Sequence, residues 1–305
     1  MSGSEVIALF GPTGVGKTDV AIALAHRLRA LGESPVAVSA DALQVYLGLE
    51  TLTGAADPSA RTQLEHRLLS FLPVDATFSA GQYAALAHAE IDELLSAGRR
   101  PVVVGGTGLY LRAALTELRL RPPPAEGVRE RWLAELAERG PEALHATLAR
   151  RAPWAAEGVA PTDRQRIVRC LELLDSGELE PPDGESQLWT SDMRRPTLLI
   201  GLVMDRRALY RAIDARVDAM LAGGAEAEVR AARAAGASAT ARGALGFDEL
   251  LCGDIEGMKR RTRNYARRQL TWMRKLACVH VIDRTAREAD QVADEVLALS
   301  LAARR

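Results

Sequence analysis

Nearly unbroken apolar runs mark the chain at Val6–Phe10 (VIALF), Ser34–Ala40 (SPVAVSA), Pro101–Val104 (PVVV) and Thr197–Val203 (TLLIGLV). Runs this short with no polar face predict strands buried on both sides. Segments of helical period separate them: Lys17–Leu31, then Ser79 as a cap for a helix to about Ser96 with Gly98 behind it, then LYLRAAL at Leu109–Leu115. This alternation predicts an α/β fold, a parallel sheet flanked by helices, whose ligands gather at the carboxyl ends of the strands. Thr51–Ala60 reads as a loop, and His66–Leu72 is ambiguous between strand and helix.

The pattern changes between Arg119 and Arg195. No buried strand is legible there; GVRERWLAELAERG, PEALHATLARRAP and TDRQRIVRCLELLDSG read as helices, near the prolines at 122–124 and 181–182. An all-helical block between two strands predicts an inserted domain, with boundaries 1–118, 119–195 and 196–305. Beyond it, Asp205–Leu221 reads as a helix and helical segments run to Cys252. Asp254 then caps a long helix with GMKRRTRNYARRQLTWMRK, Val279–Ile282 is a last strand and Ala286–Leu301 a closing helix.

Composition adds exclusions. With 48% hydrophobic and only 4% aromatic residues among 305, the core is built largely from Ala and aliphatic side chains. A formal net charge of −1 provides no global field for nucleic acid, so any such site must be local. Cys170, Cys252 and Cys278 form no paired motif, which suits free thiols in a reducing compartment. The five scattered histidines give no metal cluster. No secretory signal or membrane-length apolar segment is evident, so the expectation is a cytoplasmic protein with no membrane partner.

Candidate chemistry begins directly after the first strand. Gly11-Pro12-Thr13-Gly14-Val15-Gly16-Lys17-Thr18 has the spacing of a phosphate-binding loop, between a strand and a helix as that motif requires. Backbone amides of Thr13–Thr18 and the positive end of the helix would face an anion, Lys17 would neutralise its charge, and Thr18 would offer a hydroxyl to Mg²⁺. The second strand ends on Asp41, and the PVVV strand ends in Gly105-Gly106-Thr107-Gly108. Loop and carboxylate allow two chemistries: an ATP-dependent kinase of a small metabolite, or transfer from a substrate whose own diphosphate departs. A nucleotide-gated RNA-binding module without catalysis is a third reading. The cations of Arg164–Arg169 and of the 257–275 helix suit either a solvated face or nucleic-acid phosphates.

Together, GPTGVGKT, the Asp41–Tyr46 box DALQVY, GGTGLY at Gly105–Tyr110, DRQRIVRCLE at Asp163–Glu172, RAIDARVDAMLAGGAEAEVR at Arg211–Arg230 and RRQLTWMRK at Arg267–Lys275 resemble the tRNA dimethylallyltransferase (isopentenyl-tRNA transferase) family. The resemblance spans nearly the whole chain. It implies a P-loop NTPase-like core with an inserted helical domain that clasps the anticodon stem-loop of tRNA. It also implies a dimethylallyl diphosphate donor, and the exocyclic amine of the adenosine just 3′ of the anticodon as acceptor. Asp41 then corresponds to the base, Thr13 and Arg216 to diphosphate contacts at the reacting centre, and Gly11–Thr18 to the diphosphate cradle, with Mg²⁺ on Thr18. Asp41, Ala42, Leu43 and Gln44 correspond to the box that holds the extruded base, and Thr107 to the junction of tRNA and diphosphate. Gln165, Arg166, Ile167, Val168, Arg169 and Arg129 correspond to tRNA contacts on the insertion. A monomer is expected, because the substrate itself spans the cleft. The chain departs from the family pattern at Leu52–Pro58 (LTGAADP), where the family's lysine is missing, and at Gly243, which stands at a polar position.

Overall fold

A computed structural model describes residues 5–121, 123, 125–181 and 186–303. Pro122, Pro124 and Pro182, read above as marks of the insertion's edges, lie outside the described residues. The strands are β1 (Val6–Phe10), β2 (Pro35–Ala40), β3 (His66–Arg67), β4 (Arg100–Gly105), β5 (Thr197–Val203) and β6 (His280–Asp283). They form one parallel sheet in the order β3-β2-β4-β1-β5-β6. The helices are α1 (Lys17–Ala30), α2 (Glu50–Thr53), α3 (Pro58–Gln63), α4 (Ala80–Ser96), α5 (Gly108–Leu115), α6 (Val128–Arg151), α7 (Pro153–Glu157), α8 (Arg164–Asp175), α9 (Arg206–Ala222), α10 (Ala225–Ala234), α11 (Phe247–Cys252), α12 (Ile255–Met273) and α13 (Ala289–Ala302).

The apolar runs become strands because both faces of the sheet are covered. Val6, Ala8 and Phe10 of β1 join one buried cluster, while Ile7 and Leu9 join another. A period of two thus sends alternate residues into two separate layers, so neither face tolerates a polar residue. Ser79 caps α4 by accepting from Gln82 N–H, and the Gln82 side chain returns the bond to Ser79 N–H.

The register carries the consequence for function. Phe10 of β1 and Ala40 of β2 both lie opposite Gly105 of β4. The three strands therefore end in one row, and Gly11, Asp41 and Gly106 leave the sheet side by side.

The described residues divide into two compact units, residues 1–118 with 187–305, and residues 119–186. Each unit has its own core. In the helical unit Trp132, Leu136, Leu144 and Leu148 of α6 meet Ile167, Val168 and Leu171 of α8. The α6 backbone breaks at Gly140, with φ 77°, just before Pro141.

Three expectations need correction. Residues 187–195 belong to the sheet-bearing unit, so the helical unit ends at 186 rather than 195. Buried Arg112 on α5 donates to Gln187 O (2.8 Å) and Asp192 O (3.4 Å), Trp189 packs on Trp272, and Arg194 N–H donates to Leu115 O (2.7 Å). Apolar periodicity cannot reveal a segment fastened mainly by its own carbonyls. The stretch 51–60 is not all loop, because it carries most of α2 and the start of α3, with Asp57 capping α3 through Ala60 N–H. Both helices are very short, and α3 buries no residue, so neither imprints a period. Of the ambiguous stretch 66–72, only His66–Arg67 pairs as a strand.

Candidate functional site

The row of strand ends assembles the site within the sheet-bearing unit. Gly11–Gly16 turns directly from β1 into α1, so the first amides of the helix point out of its N-terminus. Among the described residues, the N–H groups of Gly14, Gly16, Lys17 and Thr18 have no protein acceptor. Unpaired amides at the positive end of a helix form an anion cradle. The expectation that every amide from Thr13 to Thr18 serves this cradle is corrected at two places. Thr13 N–H donates to Gln269 Oε1 (2.8 Å), and Val15 N–H turns back to Pro12 O (3.3 Å).

Lys17 lies over the loop and donates to Gly11 O (2.9 Å) and Pro12 O (3.0 Å). An ammonium has three donors, so one remains for an anion. Burial, then the nearby Arg216 charge, push Lys17 down from 10.5 to about 8, while Asp41 pulls the other way. Arg216 reaches in from α9, and donates to Thr53 O (3.4 Å) and Gly54 O (3.2 Å). Burial lowers its guanidinium from the ordinary value, against the pull of Asp41 and Asp19. The stretch that departs from the family pattern, Leu52–Pro58, thus supplies the carbonyls that hold Arg216. Gln44 Nε2 shares Gly54 O at 3.2 Å, and Gln44 Oε1 accepts from Ser39 Oγ at 3.2 Å.

Asp41 Oδ1 accepts from Leu43 N–H (3.0 Å) and Oδ2 from Thr107 Oγ1 (3.3 Å). Thr107 Oγ1 also lies 3.1 Å from Tyr265 OH. Burial, then Asp41, raise the Tyr265 phenol, so it stays protonated and donates to Thr107. A hydrogen-bonded chain runs Tyr265 to Thr107 to Asp41, and leaves carboxylate lone pairs for a further donor.

α12 is the hub that sequence reasoning placed near the core without assigning roles. Gln269 joins the two glycine loops, accepting from Thr13 N–H and donating from Nε2 to Gly106 O (2.8 Å). A Cβ on Gly106 would stand 2.3 Å from Gln269 Nε2 and 3.3 Å from Lys17 Nζ, and one on Gly108 would stand 2.2 Å from Trp272 Cε3. The GGTG run is therefore glycine-rich because α12 and the phosphate loop press against it. The available signal was Gln269 itself, a polar residue in the buried stripe with Thr262, Ala266 and Met273. Arg284, just after β6, also reaches the loop, and nothing in the sequence marks it.

In the helical unit the proposed RNA contacts separate by face. Gln165 and Arg166 of α8 are exposed. Ile167 and Val168 are buried in the unit's core and present no side chain to a partner, which corrects that expectation. One turn of α8 cannot present five successive residues outward. Arg129 and Arg169 both donate to Glu172, a carboxylate with no exposed surface, from 2.9 Å and 3.2 Å.

A parallel sheet whose first strand feeds a glycine-rich loop at a helix N-terminus, with a helical unit inserted before β5, defines a P-loop-type α/β protein. The chain belongs to the IPP transferase family, whose model matches residues 44–276. It is 42% identical over 288 residues to a protein named tRNA dimethylallyltransferase from Thermobifida fusca, across 91% of this chain and 89% of that one. A protein of the same name from Kineococcus radiotolerans is 41% identical, across 90% and 89%. Among solved structures, the full-length tRNA isopentenylpyrophosphate transferase of Bacillus halodurans superposes with a TM-score of 0.70 at 30% identity, covering 98% of this chain and 96% of that one. A eukaryotic dimethylallyltransferase acting on tRNA has the same fold, with a TM-score of 0.73 at 23% identity, covering 99% of this chain and 80% of that one.

Proposed function

We propose that the protein is a tRNA dimethylallyltransferase. It moves a dimethylallyl group from dimethylallyl diphosphate to the exocyclic N6 amine of the adenosine immediately 3′ of the anticodon, and releases diphosphate. The observation that carries this reading is the row of strand ends, which sets a carboxylate, Asp41, beside an amide-rich anion cradle, with Thr107 hydrogen-bonded to the carboxylate.

Allylic C–O cleavage leaves cationic character on carbon and negative charge on the departing diphosphate. The free amides of Gly14, Gly16, Lys17 and Thr18, with Lys17 and Arg216, stabilise that charge as it develops. The Thr13 side chain completes the cradle's rim, while Gly11 and Pro12 contribute the carbonyls that hold Lys17. The adenine amine is a poor nucleophile whose proton becomes acidic as nitrogen attacks. Asp41 accepts that proton, a contribution of about 10²–10⁴-fold. Ala42, Leu43 and Gln44 border the extruded base, which must leave the stack to reach the carboxylate.

Mg²⁺ fits these residues. Among the described residues no group of three or more His, Cys, Asp or Glu could hold a metal alone, and the Thr18 hydroxyl has no protein partner. One protein hydroxyl with substrate phosphate oxygens and water is a usual Mg²⁺ environment. When bound, Mg²⁺ would neutralise diphosphate charge, with Thr18 as its protein ligand. The helical unit contributes Gln165, Arg166, Arg129 and Arg169 to the anticodon stem-loop, and a monomer suffices.

The test is incubation with dimethylallyl diphosphate, Mg²⁺ and unmodified tRNA in the absence of ATP. Isopentenyladenosine is the expected product. No product from any tRNA bearing adenosine at that site, or a requirement for ATP, overturns the reading. The kinase alternative is disfavoured because the relatives above are named for dimethylallyl transfer.

A further inference from the structure

The mechanism so far leaves one buried cation at the phosphate loop unused. Arg284 follows β6, and its N–H donates to Val203 O (2.9 Å), fixing its backbone to the sheet. Its side chain crosses to the loop, where Nη1 donates to Val15 O. Nη2 lies 3.5 Å from Asp19 Oδ2, a largely exposed carboxylate, and Nε is buried without a protein partner. A Cβ on Gly16 would sit 1.6 Å from Nη1, and Gly16 itself has φ 80°. Gly16 is thus glycine for two reasons: the left-handed backbone and the guanidinium laid across its Cα.

Two physical points give this contact a role. In a trans peptide the C=O and the following N–H point in opposite directions. Holding the Val15 carbonyl on Arg284, outside the loop, therefore aims the Gly16 N–H away from Arg284, and that N–H has no protein acceptor among the described residues. Arg284 is also a cation at the positive end of α1, next to Lys17, where a lone cation is disfavoured. A single distant, solvent-exposed carboxylate does little to offset that arrangement. A multiply charged anion in the loop would offset it.

We propose that Arg284 is a positioning residue for the leaving diphosphate: it locks the Val15–Gly16 peptide with its N–H turned into the cradle and adds positive charge behind the loop. This rests on the transferase reading and deepens it. The residue acts through the backbone, with no contact to the reacting atoms required.

The experiment is titration of the purified full-length protein with inorganic diphosphate and Mg²⁺, for wild type, Arg284→Met and Arg284→Lys, alongside KM for each substrate. Arg284→Met should bind diphosphate about tenfold more weakly. It should raise KM for dimethylallyl diphosphate and leave KM for tRNA unchanged. Arg284→Lys, which keeps the charge but loses the planar fork, should recover only part of that affinity. A folded Arg284→Met with wild-type diphosphate affinity overturns the proposal, as does an equal rise in both KM values, which a general loss of structure would produce. Should Arg284→Met fail to fold, Arg284→Lys decides alone, and wild-type affinity there overturns it. A wild-type protein that binds no diphosphate sinks the transferase reading itself, an outcome distinct from any difference between variants.

Discussion

Gln269 accepts from the Thr13 N–H at 2.8 Å across 256 positions of sequence, and with its other end donates to Gly106 O. One carboxamide thus sets the spacing between the phosphate loop and the Gly105–Gly108 loop. Because Gln269 is buried, water cannot replace either bond.

Gln269→Ala should therefore cost about 1–3 kcal/mol of stability and lower kcat/KM for both substrates. Gln269→Glu should be worse, because it brings a carboxylate oxygen against Gly106 O. Thermal denaturation and steady-state kinetics on the same preparations check this. A Gln269→Glu enzyme with normal kcat/KM would contradict the bridging role.

Asp41 is held by Leu43 N–H and Thr107, both donors. Asp41→Ala should lower transfer by about 10²–10⁴-fold while tRNA binding survives. Thr107→Val should reduce kcat less, since Leu43 N–H still orients the carboxylate. Single-turnover transfer and filter-binding measurements separate these effects. Loss of tRNA affinity in step with rate would assign Asp41 to binding.

Lys17 gives the site a pH dependence. Burial depresses its ammonium to about 8 in the free protein, and a bound diphosphate favours the charged form and raises it. Below about pH 8 Lys17 is already protonated and binding needs no proton. Above it, binding must take up a proton, so KM for dimethylallyl diphosphate should climb as pH rises, by at most about tenfold per pH unit. Lys17→Arg, which cannot titrate in this range, should flatten the profile even where its affinity is lower. An unchanged slope in that variant would assign the dependence elsewhere.

Glu172 has no exposed surface, yet it accepts from both Arg129 and Arg169. Glu172→Gln should leave the two guanidinium groups less fixed and raise KM for tRNA several-fold without changing KM for the donor. Glu172→Ala should also destabilise the helical unit by about 2 kcal/mol, less than for a wholly buried pair because both arginines reach solvent.

Arg166 is largely solvent-exposed, with only a 3.5 Å contact to Asp163. Replacing Arg166 and Arg169 by Ala should raise KM for tRNA and shallow its dependence on salt, because fewer counterions are released on binding. Measuring KM at several ionic strengths tests this, and an unchanged salt slope would remove these residues from the RNA contact.

Most of the sheet was legible in the chain because strands buried on both faces are apolar throughout. The loop, Asp41 and the GGTG run were legible because their chemistry follows strand ends directly. The faces of α8 were not separated: Gln165–Arg169 was read as one contact, though Ile167 and Val168 turn inward. The return of the chain to the core at 187 was equally hidden, since Arg112 fastens it through carbonyls of residues that share no pattern.

The sequence by itself determined which residues can cradle an anion, which strands are buried, and where a helical block interrupts the sheet. These depend on local spacing and on the period of apolar side chains. Only the tertiary structure decided that Gln269, Tyr265, Arg216 and Arg284 converge on that cradle. Each arrives from an element distant along the chain, and a single polar side chain meeting a backbone group across the fold leaves no periodic trace.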